Sequence, residues 1–413
     1  MTSTTLNTQV CIAGGGPAGI MLGYMLARCG IEVIVMEKWP DFFRDFRGDT
    51  IHPSTMENLK ELGLLESFLK LPHQKVTAPT GQVGPDTLNI VDFSGLKVTA
   101  PFIAFVPQWD FLDFIAANAK RFPNFRLLMN TEATSLIERG GRVVGLNANA
   151  PGGPIRIDAK LVVGADGRHS TIRQAAGLEV QNIGAPMDVL WFRVDRSPTD
   201  PDQVLGRIHG GHIMVMICRK EYWQCGFLIR KGSLAELKAR GLDAFQKELL
   251  GLAPFLGDRV KAINNWDDLK LLTVTVDRLN TWHKPGLLCI GDAAHAMSPI
   301  GGVGINLAIQ DAVVAANHLV AAFKKGQEID SSVLAAIQQR RMFTTRVTQK
   351  FQTIIQDRVI DRVLGNQTTP RAPWFFRAFN RFRWMRRIPA RFLGLGLRPE
   401  HVSAEICAAG SSK

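Results

Sequence analysis

Gly14, Gly16 and Gly19, in the segment Gly14-Gly15-Gly16-Pro17-Ala18-Gly19, have the spacing of a turn that brings backbone amides against a pyrophosphate. Gly14 permits the tight turn, Gly16 lets the phosphate come close, and Gly19 lets a following helix pack on the strand before it. Pro17 and Ala18 open that helix, whose first amides and positive dipole end favour an anion. Glu37, with Lys38 behind it, ends the next β-rich run. A carboxylate there can accept from ribose hydroxyls and would repel a 2′-phosphate. The chemistry indicated is the holding of a dinucleotide, with NADPH a poor occupant of the cradle.

Two more glycine-and-acid segments lie far downstream. In Gly164-Ala165-Asp166-Gly167, a carboxylate at a strand end can fix loop amides or a ribose. In Gly291-Asp292-Ala293-Ala294-His295, Asp292 follows an apolar run directly, where a charge is costly unless it is hydrogen-bonded. The segment from Pro299 through Gly302, Gly304 and Ile305 to Asn306 then opens a long apolar helix. Its free amides and positive end suit negative charge on a ligand, and its small residues leave open space there. Asn306 is counted with the ligand contacts by its place in this loop. His52, His295 and Asn306 read as packing or loop-fixing residues rather than catalysts. No catalytic triad, paired carboxylate or metal-ligand set is apparent, so no catalytic side chain and no metal are assigned.

These segments need strands that end together and helices that start beside them. Residues 10–13 read as a buried strand, 17–29 as a helix stopped by Gly30, and 31–36 as a second strand. Residues 53–71 are helical with a break at Gly63, and residues 108–121 are helical again. Residues 134–148 suggest a hairpin about Gly140-Gly141. Residues 161–163 and 287–290 are buried strands leading into the second and third segments, and residues 305–324 form a long helix. From about 180 to 275 the chain turns β-rich, with one helical stretch at 234–250.

The expected fold class is α/β: a Rossmann-like nucleotide-binding domain of residues 1–75, 101–180 and 276–350, left and re-entered by the chain. Residues 76–100 and 181–275 would form an inserted β-sheet domain, and 351–413 a helical C-terminal region. Trp191, Arg193, Met214, Met216, Tyr222, Trp223 and Phe227 are candidate pocket walls on that sheet, alternation deciding which of them face inward. Such a wall fits a hydrophobic polycyclic or quinone-like molecule better than a small polar acid.

Composition is that of a globular protein, with 46% apolar and 21% charged residues. No run approaches the ~20 apolar residues of a membrane span, and the polar start carries no export signal. Cys11, Cys29, Cys218, Cys225, Cys289 and Cys407 form no paired motif, which suits reduced thiols in the cytoplasm. The net charge of +12 owes much to residues 371–398, which hold eight arginines and no acid among several aromatics. No nucleic-acid-binding pattern accompanies them. A basic helix packed on the body by its aromatic face is expected, with peripheral membrane contact the minor alternative. The chain would act as a monomer or homodimer.

From about residue 8 to about residue 316 the chain resembles the single-component flavin monooxygenases typified by p-hydroxybenzoate hydroxylase. The resemblance rests on the three segments above, in this order. It implies that the first holds the adenosine end of tightly bound FAD and that residues 164–173 lie near the pyrophosphate and the nicotinamide path. It also implies that Gly291-Asp292 binds the ribityl and pyrophosphate portion. Arg47 and Gln108 correspond to an arginine and a glutamine that contact FAD, the arginine also helping to admit NADPH.

A single glycine-turn unit implies that NADPH or NADH visits transiently. The implied reaction is reduction of FAD, addition of O2 at flavin C4a, and oxygen transfer from the hydroperoxide to an aromatic or polycyclic small molecule. A reductase or halogenase on the same fold, a tetracycline-inactivating monooxygenase, and a flavin-binding sensor are the alternatives. The segment Tyr222-Trp223-Gln224-Cys225-Gly226-Phe227 lacks the Trp-x-Trp-x-Ile-Pro signature of halogenases.

Overall fold

The computed structural model describes residues 4–43, 50–201, 205–364, 379 and 381–409. Arg47 and residues 371–378 and 380 therefore lie outside the described residues.

Apolar Val10, Cys11 and Ile12 drive the end of strand β1 (Thr4–Ala13) into the core, and helix α1 (Pro17–Arg28) follows the glycine turn. Gly30, at φ 81°, reverses the chain into β2 (Val33–Met36). Two helices, Pro53–Glu61 and Leu65–Phe68, follow with Gly63 between them, then short strands β3 (Thr80–Val83) and β4 (Asp86–Leu88), helix α2 (Gln108–Ala119) and β5 (Phe125–Leu128). A hairpin of β6 (Glu132–Arg139) and β7 (Arg142–Ala150) turns at Gly140-Gly141, both at positive φ. Strand β8 (Gly153–Gly164) leads to the short helix α3 (Thr171–Ala175).

The β-rich stretch gives β9 (Met187–Asp195), β10 (Leu205–His209), β11 (His212–Cys218) and β12 (Tyr222–Arg230). Helices α4 (Leu234–Ala239) and α5 (Leu242–Leu252) are separate because Gly241 adopts φ 84°, so the expected single helix is two. Strand β13 (Lys270–Leu272) closes this part. The chain then returns through β14 (His283–Lys284) and β15 (Leu287–Cys289) to α6 (Gly304–Lys324) and α7 (Ser331–Ile355). It ends in α8 (Arg387–Leu395) and α9 (Ala404–Ala409).

The first sheet has eight strands in the order β14-β15-β8-β1-β2-β5, with β7 added to β8 and β6 to β7. Strands β15, β8, β1, β2 and β5 run parallel, and β2, β15 and the last residues of β1 and β8 are buried on both faces, as crossover helices require. The second sheet has seven strands, β13-β9-β12-β11-β10-β3-β4. Residues 300–324 are, among the described residues, the one helical stretch long and apolar enough to cross a membrane. With 83% of its apolar window buried, it is the core helix against which α1 packs.

Of the aromatics in residues 371–398, those at 374–376 lie outside the described residues, and Phe382 and Trp384 depart from the expected packing. Helix α8 packs through Ala390, Leu393 and Leu395, while Phe382 and Trp384 face outward. Small and aliphatic side chains fit the groove beside Phe93, which leaves these aromatics no place in it.

Candidate functional site

Register brings the three glycine-and-acid segments together. Ala13 pairs with Met36 on one side and with Gly164 on the other, and Gly164 pairs with Cys289. Gly14, Glu37, Ala165 and Gly291 thus leave the carboxyl edge of one parallel sheet beside one another, the edge where ligands bind in open α/β sheets.

The glycines are there for space. A Cβ on Gly14 would lie 2.3 Å from the Ala165 carbonyl oxygen, and one on Gly19 1.9 Å from the Gly14 carbonyl. Gly14 also sits at φ 107°. A Cβ on Gly16 would meet nothing within 4 Å, so the space in front of α1 is open. No side chain caps the N-terminus of α1 or of α6, whereas Ser170 caps α3 and Asp330 caps α7. Two helices therefore present uncapped first-turn amides beside glycine turns, an arrangement that fits the phosphates and ring of a dinucleotide.

The carboxylates divide by task. Glu37 Oε2 accepts from the Gly15 amide at 3.1 Å, which holds it against the first turn, while Lys38 is exposed beside Trp39 and Glu132. Asp166 accepts from the Ser170 hydroxyl at 2.5 Å and the Ile172 amide at 3.1 Å. It ties the second segment to α3, and its burial raises its pKa despite those bonds. Asp292 is one-third exposed and 3.5 Å from the Arg168 guanidinium, so the second and third segments meet there.

The third segment is wedged from several sides. A Cβ on Gly291 would come within 3.1 Å of Ala18 and 3.3 Å of Ala308. Gly302, at φ 62°, packs on Thr50, whose hydroxyl donates to the Gly302 carbonyl at 2.8 Å. The Asn306 side chain is fully engaged. Its Oδ1 accepts from the His52 amide and the Thr55 hydroxyl, and its Nδ2 donates to the carbonyls of Thr50 and Gly302. Asn306 thus fixes this loop, and its side chain is not left for the cofactor contact assigned to it. Pro299 and Ile300 precede Gly304 and Ile305, and Leu393 of α8 lies over Gly301. Gln108 begins α2, half-buried, behind an uncapped N-terminus.

Alternation corrects the sheet residues. Met214, Met216, Trp223 and Phe227 share a core with Phe245, Leu249 and Leu256 of the covering helical layer. They lie on the outer face and do not wall the site. The opposite face carries Trp191, Arg193 and Tyr222, with Val215, Gly226 and Leu228 between them. The Trp191 indole crosses Gly226, 3.1 Å from where a Cβ would stand. Trp191 packs against the cluster around Phe93, as Leu393 does, and against the cluster around Val189, as Ile300 of the glycine loop does, so this face and the third segment share those clusters. Arg193 lies 4.8 Å over the Tyr222 ring.

Sequence reading missed Asp311. This carboxylate is buried in α6, lies 2.6 Å from His295 Nε2, and accepts from Arg341 Nε at 2.7 Å and the Gly291 amide at 3.0 Å. Burial alone would raise its pKa, but His295 and Arg341 outweigh that and hold it below the usual carboxylate range. A lone acid inside an apolar helix was the available signal, because such a charge must find partners.

Residues 7–351 match the FAD binding domain family. The chain belongs to that family. It is similar to 6-methylpretetramide 4-monooxygenase of Streptomyces rimosus, at 31% identity over 83% of this chain and 82% of the relative. It is also similar to para-nitrophenol 4-monooxygenase of Pseudomonas sp. strain WBC-3, at 25% identity over 81% and 83%. Among solved structures, PqsL of P. aeruginosa in complex with 2-aminobenzoylacetate shares the fold, with TM-score 0.76, 19% identity, and 87% and 98% of the two chains covered. This member of the FAD binding domain family is an FAD-dependent monooxygenase of the aromatic-hydroxylating type.

Proposed function

We propose that this monooxygenase hydroxylates a polycyclic aromatic substrate lying between the Pro299–Gly302 loop and the inner face of the second sheet. The observation that carries this is the Trp191 row. Trp191 and Gly226 form a flat apolar surface beside Val215, which is 36% exposed. Apolar clusters flank it on both sides, one around Phe93 and Phe105, the other around Val189 and Ile213. A wide, flat, greasy surface suits fused rings, and a relative named for a polycyclic substrate covers most of the chain.

In this reading Gly14, Gly16, Pro17, Ala18, Gly19, Glu37 and Lys38 serve the adenosine and pyrophosphate end of FAD. Asp166 fixes the second loop, and Gly291 and Asp292 serve the ribityl part. The first amides of α6 face the ring, where they stabilise negative charge. Gln108, and Arg47 outside the described residues, complete the cofactor contacts. Bound FAD supplies the activation of O2 and the delivery of one oxygen atom; the other leaves as water with electrons drawn from NADPH or NADH. The nicotinamide is a transient visitor, because the chain offers one glycine-turn unit and FAD fills it. Trp191, Ile300 and Leu393 exclude water and orient the substrate. The free thiols of Cys11, Cys225 and Cys289, raised in pKa by burial, suit a reducing cytoplasm and take no part in the chemistry.

Stimulation of NAD(P)H oxidation by a panel of phenols of increasing ring number tests the reading. Tricyclic and tetracyclic phenols should be turned over with lower KM than monocyclic ones. A preference for single-ring phenols would overturn it.

A further inference from the structure

Glu400, near the C-terminus, and Gly291, at the third segment, are joined through buried side chains. Arg340 Nε donates to both Glu400 oxygens at 3.0 Å, and Arg341 Nη1 donates to one of them at 3.3 Å. Arg341 Nε donates to Asp311, and Asp311 accepts from the Gly291 amide. Asp311 and Arg341 have no solvent exposure and Glu400 has 5%. Two carboxylates thus face two guanidiniums.

Such a network is costly to desolvate, and apolar residues of like volume would often do as well for stability alone. What they could not do is satisfy the Gly291 amide and fix its turn. Gly291 stands at φ 60° between Ala18 of α1 and Ala308 of α6, so a shift of this turn changes its distance from both helix N-termini. The other end of the network is tied down too. Asn58 donates to the Glu400 carbonyl at 2.7 Å, and Glu61 accepts from the Val402 amide at 2.8 Å.

We propose that Asp311 is a positioning residue for the FAD-binding turn at Gly291-Asp292, and that the C-terminal segment around Glu400 supports FAD binding through Arg341. This rests on the FAD site and not on the substrate reading, and its test needs no turnover. Apoprotein is titrated with FAD by fluorescence quenching, below the melting temperature of each variant. Asp311→Asn should raise the Kd by about tenfold or more and Glu400→Gln by roughly three- to tenfold, the loss expected for a charge-assisted hydrogen bond. Asp330→Ala, which removes the cap of α7, should lower apoprotein stability and leave the Kd unchanged. Coupling is reciprocal, so FAD should slow hydrogen exchange at residues 400–407 in the wild type and fail to do so in Glu400→Gln. Unchanged Kd in Glu400→Gln, with FAD-independent exchange in the wild type, would overturn the proposal whether or not Asp311→Asn folds.

Discussion

Gly14 and Gly16 stand two positions apart and predict opposite outcomes for the same methyl group. Gly14→Ala forces a Cβ against the Ala165 carbonyl at positive φ, which should cost about 1–3 kcal/mol of apoprotein stability as well as FAD affinity. Gly16→Ala meets nothing within 4 Å and has φ −69°, so apoprotein stability should hold within ~0.5 kcal/mol while FAD Kd rises. Thermal melts of apoprotein beside FAD titrations check both, and an unchanged Kd for Gly16→Ala would remove the phosphate from that position. His52 carries a pH prediction. Burial pushes its pKa down to about 4, against the opposing hydrogen bond between its Nδ1 and the Leu393 carbonyl. The folded pKa lies below the unfolded one of ~6.5, so the unfolded chain takes the proton first. Its contribution is intact above pH ~6.5 and falls away as pH drops toward 4, by up to about 3 kcal/mol. Denaturant melts between pH 7 and 4.5 should show a shallower slope in His52→Gln, and an identical slope would contradict the assignment. The glycines were legible in sequence because what they satisfy is local backbone geometry. Asp311 was not, because Arg341 and Glu400 reach it from elements far along the chain.

At the scale of elements, strand ends and helix starts were readable, but sheet faces were not. Strands β1, β8 and β15 are uniformly apolar where they approach the site, and each stops at a glycine segment, so their common edge could be anticipated. Strands β9, β11 and β12 carry large apolar residues on both faces, so composition does not tell the Trp191 side from the helix-covered side. Helices α4 and α5 decide it by covering the face of Met214, Met216, Trp223 and Phe227. Phe227→Ala should accordingly cost about 3–5 kcal/mol of stability and leave KM for substrate nearly unchanged. Trp191→Leu should do the reverse, raising KM several-fold with a small loss of stability. Steady-state kinetics alongside denaturant melts separate the two faces, and a KM effect from Phe227→Ala without loss of stability would reverse the assignment.

Across the whole molecule, two sheets and a C-terminal strap meet at one place. The parallel sheet supplies the cradle, the second sheet supplies the Trp191 face, and α8 lays Leu393 over Gly301. The α/β architecture could be anticipated from segment order, whereas the strap could not, because its polar contacts are made with side chains distant in sequence. The central claim is that this assembly puts one atom of O2 into an aromatic ring, and product mass spectrometry after turnover under isotopically labelled O2 tests it most directly. A product carrying one labelled oxygen, formed only with FAD, NAD(P)H and a polycyclic phenol present, is the predicted result. A product that gains no label, or that takes its oxygen from water, would contradict it.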